Sequence, residues 1–172
     1  MSTIIIVDVE SDGNLIGENS MVCFGAVILD TENKLDKTFY GTTRPISDKF
    51  NPEALSVSGF TRTQHMCFDD PKETMEKFAK WLAENTKGKP VLVSDNNGYD
   101  ASWINYYFIK YTGNNPFGWS SRRIGDMFCG FYKDPYYKWK KHRVTAHDHN
   151  PLNDCIGNAE ALVYLRKQGF KI

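Results

Sequence analysis

Asp8 and Glu10 stand two residues apart at the end of the run Ile4-Ile5-Ile6-Val7. Residues i and i+2 of a strand point to one face, so an extended chain sets these two carboxylates side by side. Like charges that close resist ionisation, and a shared divalent cation relieves the conflict. A solvated turn at Ser11-Asp12-Gly13-Asn14 would relieve it too, so the pair needs partners from elsewhere. Asp100 follows the polar cluster Asp95-Asn96-Asn97-Gly98-Tyr99. A first-turn acid there also suits a helix dipole. Asp154 falls in the first turn of a last helix, with the same alternative. His149 precedes Asp154 by five residues, so a loop can swing the imidazole over a carboxylate that the helix holds. A lone histidine there also suits a surface or packing position. His147 has Leu152 at that offset and reads as a loop residue, and His65 and His142 have no evident acid partner.

The elements that must position these groups are readable from periodicity and punctuation. The β-branched run at residues 4–7 predicts a strand buried on both faces. Residues 21–29 predict a second strand and 35–43 a third, returning across the turn at 30–34 as an antiparallel meander. Asn51-Pro52-Glu53 opens a short helix ended by Gly59. Asp70-Pro71-Lys72-Glu73 opens a longer one, with Met75, Phe78, Ala79 and Leu82 on one face. Val91-Leu92-Val93-Ser94 predicts a short buried strand. A helix then turns Trp103, Ile104, Tyr107, Phe108 and Tyr111 inward and stops at Gly113. Residues 114–148 predict a short helix at 126–131 and a long irregular connection. Asn150 and Pro151 start the last helix, with Ala159, Leu162 and Val163 as its buried stripe and Gly169 as its end. This order implies an α/β layer fold with acids at the carboxyl ends of strands one and four, where such sheets bind ligands.

Asp8-Val9-Glu10, Asn96-Asn97-Gly98-Tyr99-Asp100 and His149-Asn150-Pro151-Leu152-Asn153-Asp154 resemble, in order, the three motifs of the DEDDh (DnaQ-like) 3′→5′ exonucleases. Asn51 to Thr61 resembles that family's stretch between the first two motifs. The likeness runs from residue 4 to about 166 and is closest to small stand-alone exoribonucleases and phage-type relatives. It implies an RNase H-like fold, a mixed five-stranded sheet flanked by helices, with residues 1–172 as one domain. It implies that Asp8, Glu10, Asp100 and Asp154 hold two Mg²⁺ or Mn²⁺ ions and that His149 is the general base. Ser11, Asp12, Gly13 and Asn97, beside those acids, become expected substrate contacts. The implied reaction removes 5′-mononucleotides from single-stranded 3′ ends, with RNA favoured over DNA by the same resemblance. A DNA proofreading or repair exonuclease and a non-catalytic nucleic-acid-binding relative are the alternatives, and a homodimer is compatible with the family. The chain departs from the family at Asp12, where a hydroxyl residue is usual, and at Asp95, where histidine is usual.

Composition sets outer bounds. The chain has 172 residues, a formal net charge of zero and a pI of about 6.9, so any affinity for a polyanion must be local. Arg122, Arg123 and the run Lys138 to Arg143 are the local basic surplus. They suit a phosphate backbone or a solvated face. Phe131, Tyr132, Tyr136, Tyr137 and Trp139 suit base stacking, a core or a dimer interface. Cysteines at 23, 67, 129 and 155 form no Cys-x-x-Cys pair, which argues against a zinc knuckle or disulfide scaffold and for the cytoplasm. Cys23 and Cys155 are expected in the core, which sets aside a Cys–His hydrolase built on Cys155 and His149. The longest apolar run, Met21 to Leu29, is too short to span a bilayer.

Overall fold

The β-branched run becomes the middle of a sheet. In the computed structural model, which describes residues 2–172, β1 (Thr3–Ser11) pairs antiparallel with β2 (Met21–Leu29), and β2 with β3 (Thr38–Thr42). On its other side β1 runs parallel to β4 (Pro90–Ser94), which pairs in parallel with β5 (Ser121–Arg123). The order is β3-β2-β1-β4-β5, the mixed five-stranded sheet of the RNase H-like fold. The antiparallel meander stands as read. The fifth strand lies at Ser121–Arg123, inside the stretch read as irregular. Its three polar residues carry no hydrophobic alternation to announce them.

Helices cover both faces because β1 alternates between two cores. Ile5, Val7 and Val9 pack with Met75, Phe78, Trp103 and Tyr107 from α3 (Pro71–Asn85) and α4 (Asn97–Thr112). Ile4 and Ile6 face Phe128, Cys155, Ala159 and Leu162 from α5 (Ile124–Tyr132) and α6 (Pro151–Lys167). The caps act as the sequence implies. Asp70 accepts from Lys72 N, and Asn150 accepts from Leu152 N and Asn153 N, each with proline next in the chain. The short helix α1 (Pro52–Val57) starts on Asn51. A second, α2 (Arg62–Met66), follows on a Thr61–Gln64 capping box and was not anticipated, since five residues carry almost no periodic signal. A single 3₁₀ turn occupies Trp139–His142.

Most of the aromatic-rich segment is internal. Phe128, Tyr132, Tyr137 and His142 stack in succession, and His142 lies 3.7 Å, ring to ring, from Tyr164. Trp139 is buried, whereas Tyr136 faces solvent. No described helix is long and apolar enough to cross a membrane.

Candidate active site

The site forms where β1 outruns β4. The parallel pairing covers only Thr3 to Ile6 of β1, so residues beyond Ile6 have no β4 neighbour. The Val9 N–H is thereby free, and it donates to Asp100 Oδ1 at 3.1 Å. That bond brings the first turn of α4 against the end of β1. Asp8 and Glu10 share the opposite face with Ile4 and Ile6, toward α6, and meet Asp154 from that helix's first turn. One carboxylate oxygen from each of Asp8, Glu10 and Asp154 lies within 4.8 Å of the others. A register shift between Glu10 and Ser11 ends the regular strand immediately beyond the pair.

Four acids in this crevice disturb one another. Burial, then the charges of Asp100, Asp154 and Glu10, holds the Asp8 carboxyl well above the usual range. Burial, then Asp154 and Asp100, pushes Glu10 up to about 7. Burial also raises Asp100 to about 7, against the lowering effect of its hydrogen bond from Val9 N. The oxygen inventory matches a cation seat. Oδ2 of Asp100 and Oδ2 of Asp154 are both buried with no hydrogen-bond partner. A buried unpaired carboxylate oxygen is costly unless something charged meets it. An all-oxygen set of this kind suits Mg²⁺ or Mn²⁺.

His147 and His149 both reach the acids. His149 Nδ1 stands 3.7 Å from Glu10 Oε1, and its side chain is half exposed. His147 does not behave as a bystander. Its Nδ1 lies 2.7 Å from Asp154 Oδ1, and the two rings are 4.3 Å apart. The reason is a chain reversal. His149 adopts φ 60°, and Asp148 ties the bend by accepting from Asn150 N and Asn153 Nδ2, so His147 folds back over α6. Sequence offset alone assumed a straight approach.

Other expected contacts are redistributed. Asp12 is fully buried. Its Oδ1 accepts from Ser20 N and its Oδ2 from Arg62 Nη1 at 2.8 Å, with His65 Nδ1 at 3.7 Å. Asp12 is therefore an internal anion tying α2 to the β1–β2 turn, with no oxygen left for substrate, and His65 does have an acid partner. Burial holds that imidazole below its ordinary pKa. Ser11 is buried, with its hydroxyl between Gly13 O and the Tyr99 hydroxyl. Tyr99, not singled out from sequence, thus closes the space between β1 and α4. Asn97 donates to Ser121 Oγ at 2.9 Å. Arg123 bonds Asp95 O and Asp126. Arg122 lines a cavity with Ile4, Val91 and Arg166, at the far end of β1 from Asp8. Nor is the Lys138–Arg143 run a continuous phosphate track. Trp139 is buried, Lys140 pairs with Asp95 at 2.6 Å, and Arg143 turns inward to Asp154 Oδ1 at 2.7 Å. The Lys140 contact also neutralises the extra acid at position 95.

No protein-family model matches the chain. Over 166 residues it is 32% identical to the 3′-5′ DNA exonuclease Cap18 of Escherichia coli, an alignment covering 91% of this chain and 87% of that protein. Its fold matches the nuclease domain of 3′hExo, a DEDDh family member solved bound to rAMP, with a TM-score of 0.80, 22% identity, and 98% and 93% of the two chains covered. It also matches Escherichia coli exonuclease I in complex with a dA16 oligonucleotide, with a TM-score of 0.75 and 17% identity, across 98% of this chain and 41% of that one. The chain belongs to the DEDDh family of 3′→5′ exonucleases.

Proposed function

We propose that this protein is a metal-dependent 3′→5′ exonuclease that releases 5′-mononucleotides from single-stranded 3′ ends. One observation carries the reading. Asp8, Glu10 and Asp154 converge within 4.8 Å, while Asp100 and Asp154 each keep a buried oxygen that no protein group satisfies. Asp8, Glu10, Asp100 and Asp154 are the residues that would hold the ions. Two Mg²⁺ or Mn²⁺ ions would supply Lewis-acid stabilisation of charge on the scissile phosphate and acidify the attacking water. His149 takes that water's proton on a ring nitrogen, its half-exposed ring leaving room for substrate. The attack is in line, the bond from phosphorus to the 3′ oxygen breaks, and the phosphate stays on the released nucleotide.

We take single-stranded DNA as the first substrate, because the relative that places the chain in its family is a DNA exonuclease by name. This reverses the preference for RNA, which rested on resemblance alone. RNA is kept as a second reading because the 3′hExo fold was solved with rAMP. Digestion of DNA and RNA strands labelled at either end, with Mg²⁺, Mn²⁺ or chelator, tests polarity, sugar and metal together. Shortening from the 3′ end that chelator stops is expected. Asp8→Ala and Asp154→Ala should both abolish it, and full activity in either would sink the two-metal reading.

A further inference from the structure

We infer that Arg143 is a positioning residue for the metal seat, fixing which oxygen of Asp154 faces the ions. The inference rests on the metal-dependent reading above. The Arg143 side chain is only 7% exposed, and its Nη2 stands 2.7 Å from Asp154 Oδ1. Its Nη1 reaches Asn158 Oδ1 at 3.3 Å. Asp154, Gly157 and Asn158 are spaced i, i+3 and i+4 on α6, so they share one helix face. Gly157 makes the seat. A Cβ there would lie 2.5 Å from Arg143 Nε and 2.8 Å from Nη2 and Thr145 O. The segment carrying Arg143 is staked down a second time, because Glu160 accepts from Val144 N and Thr145 N at 2.8 and 2.7 Å.

The consequence is an asymmetric carboxylate. Oδ1 of Asp154 is occupied by Arg143 and His147, and Oδ2 is buried and unpartnered. An untethered carboxylate can offer either oxygen, but one pinned by a rigid guanidinium offers a single face. Arg143 is itself a cation and repels a metal ion. Its contribution to metal binding must therefore be geometric, and the two effects predict opposite signs when it is removed.

Mn²⁺ titration of the whole chain, followed by calorimetry or by the paramagnetic signal of the free ion, reads that sign. Arg143→Gln should raise the Mn²⁺ dissociation constant by about 10–100-fold, the usual scale for groups that orient a metal ligand. It should lower kcat with little change in KM for an oligonucleotide. Gly157→Ala keeps the arginine but displaces it, and should shift both quantities in the same direction. It serves as the test if Arg143→Gln does not fold. Unchanged or tighter Mn²⁺ binding in the folded variants overturns the positioning role. A wild-type chain that binds no Mn²⁺ overturns the metal reading and this inference with it.

Discussion

His149 is a non-glycine residue at φ 60°, a region that costs an L-residue roughly 1–2 kcal/mol. Strain of that kind persists where surrounding contacts impose it, and here it is the bend that brings both imidazoles to the acids. His149→Ala should lower turnover by about 10²–10⁴-fold if the ring is the base. His147→Ala should cost less and recover as Mg²⁺ is raised, because His147 pairs with Asp154, which on the proposed mechanism would hold an ion. Single-turnover rates across a metal series separate the two. A larger, metal-insensitive loss in His147→Ala would transfer the base to that residue. Asp8 gives a second expectation. Its carboxyl is half-buried and crowded by Asp100, Asp154 and Glu10, so it opposes folding when no cation is present. Asp8→Asn should abolish digestion yet raise the melting temperature in chelator, at roughly 2–4 °C per kcal/mol for a chain of this size. A lower melting temperature would make Asp8 a structural residue.

At the scale of elements, the site depends on how closely α6 approaches the sheet. Gly25 on β2 lies opposite Asp8, and a Cβ there would stand 2.5 Å from Pro151 O and 2.7 Å from Leu152 N. The first turn of α6, which carries Asp154, rests on that gap, and Cys155 Sγ donates to Gly25 O at 3.3 Å. Gly25→Ala should therefore push the helix start outward. We expect a loss of about 1–3 kcal/mol in urea unfolding, the usual cost of overpacking, together with weakened Mn²⁺ binding. Wild-type stability and metal affinity would contradict the contact. The long helices were legible because α3 and α6 carry acid or amide caps, a following proline and repeating apolar positions. The five residues of α2 and the three of β5 were not, because elements that short carry almost no periodic signal, even though α2 has its own Thr61–Gln64 capping box.

Across the whole molecule, the crowded carboxylates make stability depend on pH in a stated direction. Glu10 and Asp100 titrate near 7 in the folded chain, against about 4 when unfolded. Between those limits the folded state keeps protons that the unfolded state has released. Stability without metal therefore falls as pH rises from about 4 to about 7 and levels off above. Divalent ions act oppositely, since they bind the ionised form. Melting curves at pH 5 and pH 8 should show the metal-free protein more stable at pH 5, and a Mn²⁺-induced rise that is larger at pH 8. An equal rise at both would mean that the acids do not titrate together with the metal seat.

By itself the sequence determined the β-branched strand ending in two acids, the capped helices, and the order of Asp8, Glu10, Asp100, His149 and Asp154, because alternation, caps and motif spacing are local properties. Tertiary structure decided the rest. Asp12 became an internal anion only because Arg62 and His65 of α2 fold against it. Arg143 left the basic surface only because Gly157 opens a seat for it on α6. His147 joined the acids only through the reversal at His149. Charge partners brought together by folding are set by which faces meet. The two carboxylates at the end of β1 could be read as a pair, but which oxygens remain free beside them is a property of the assembled crevice.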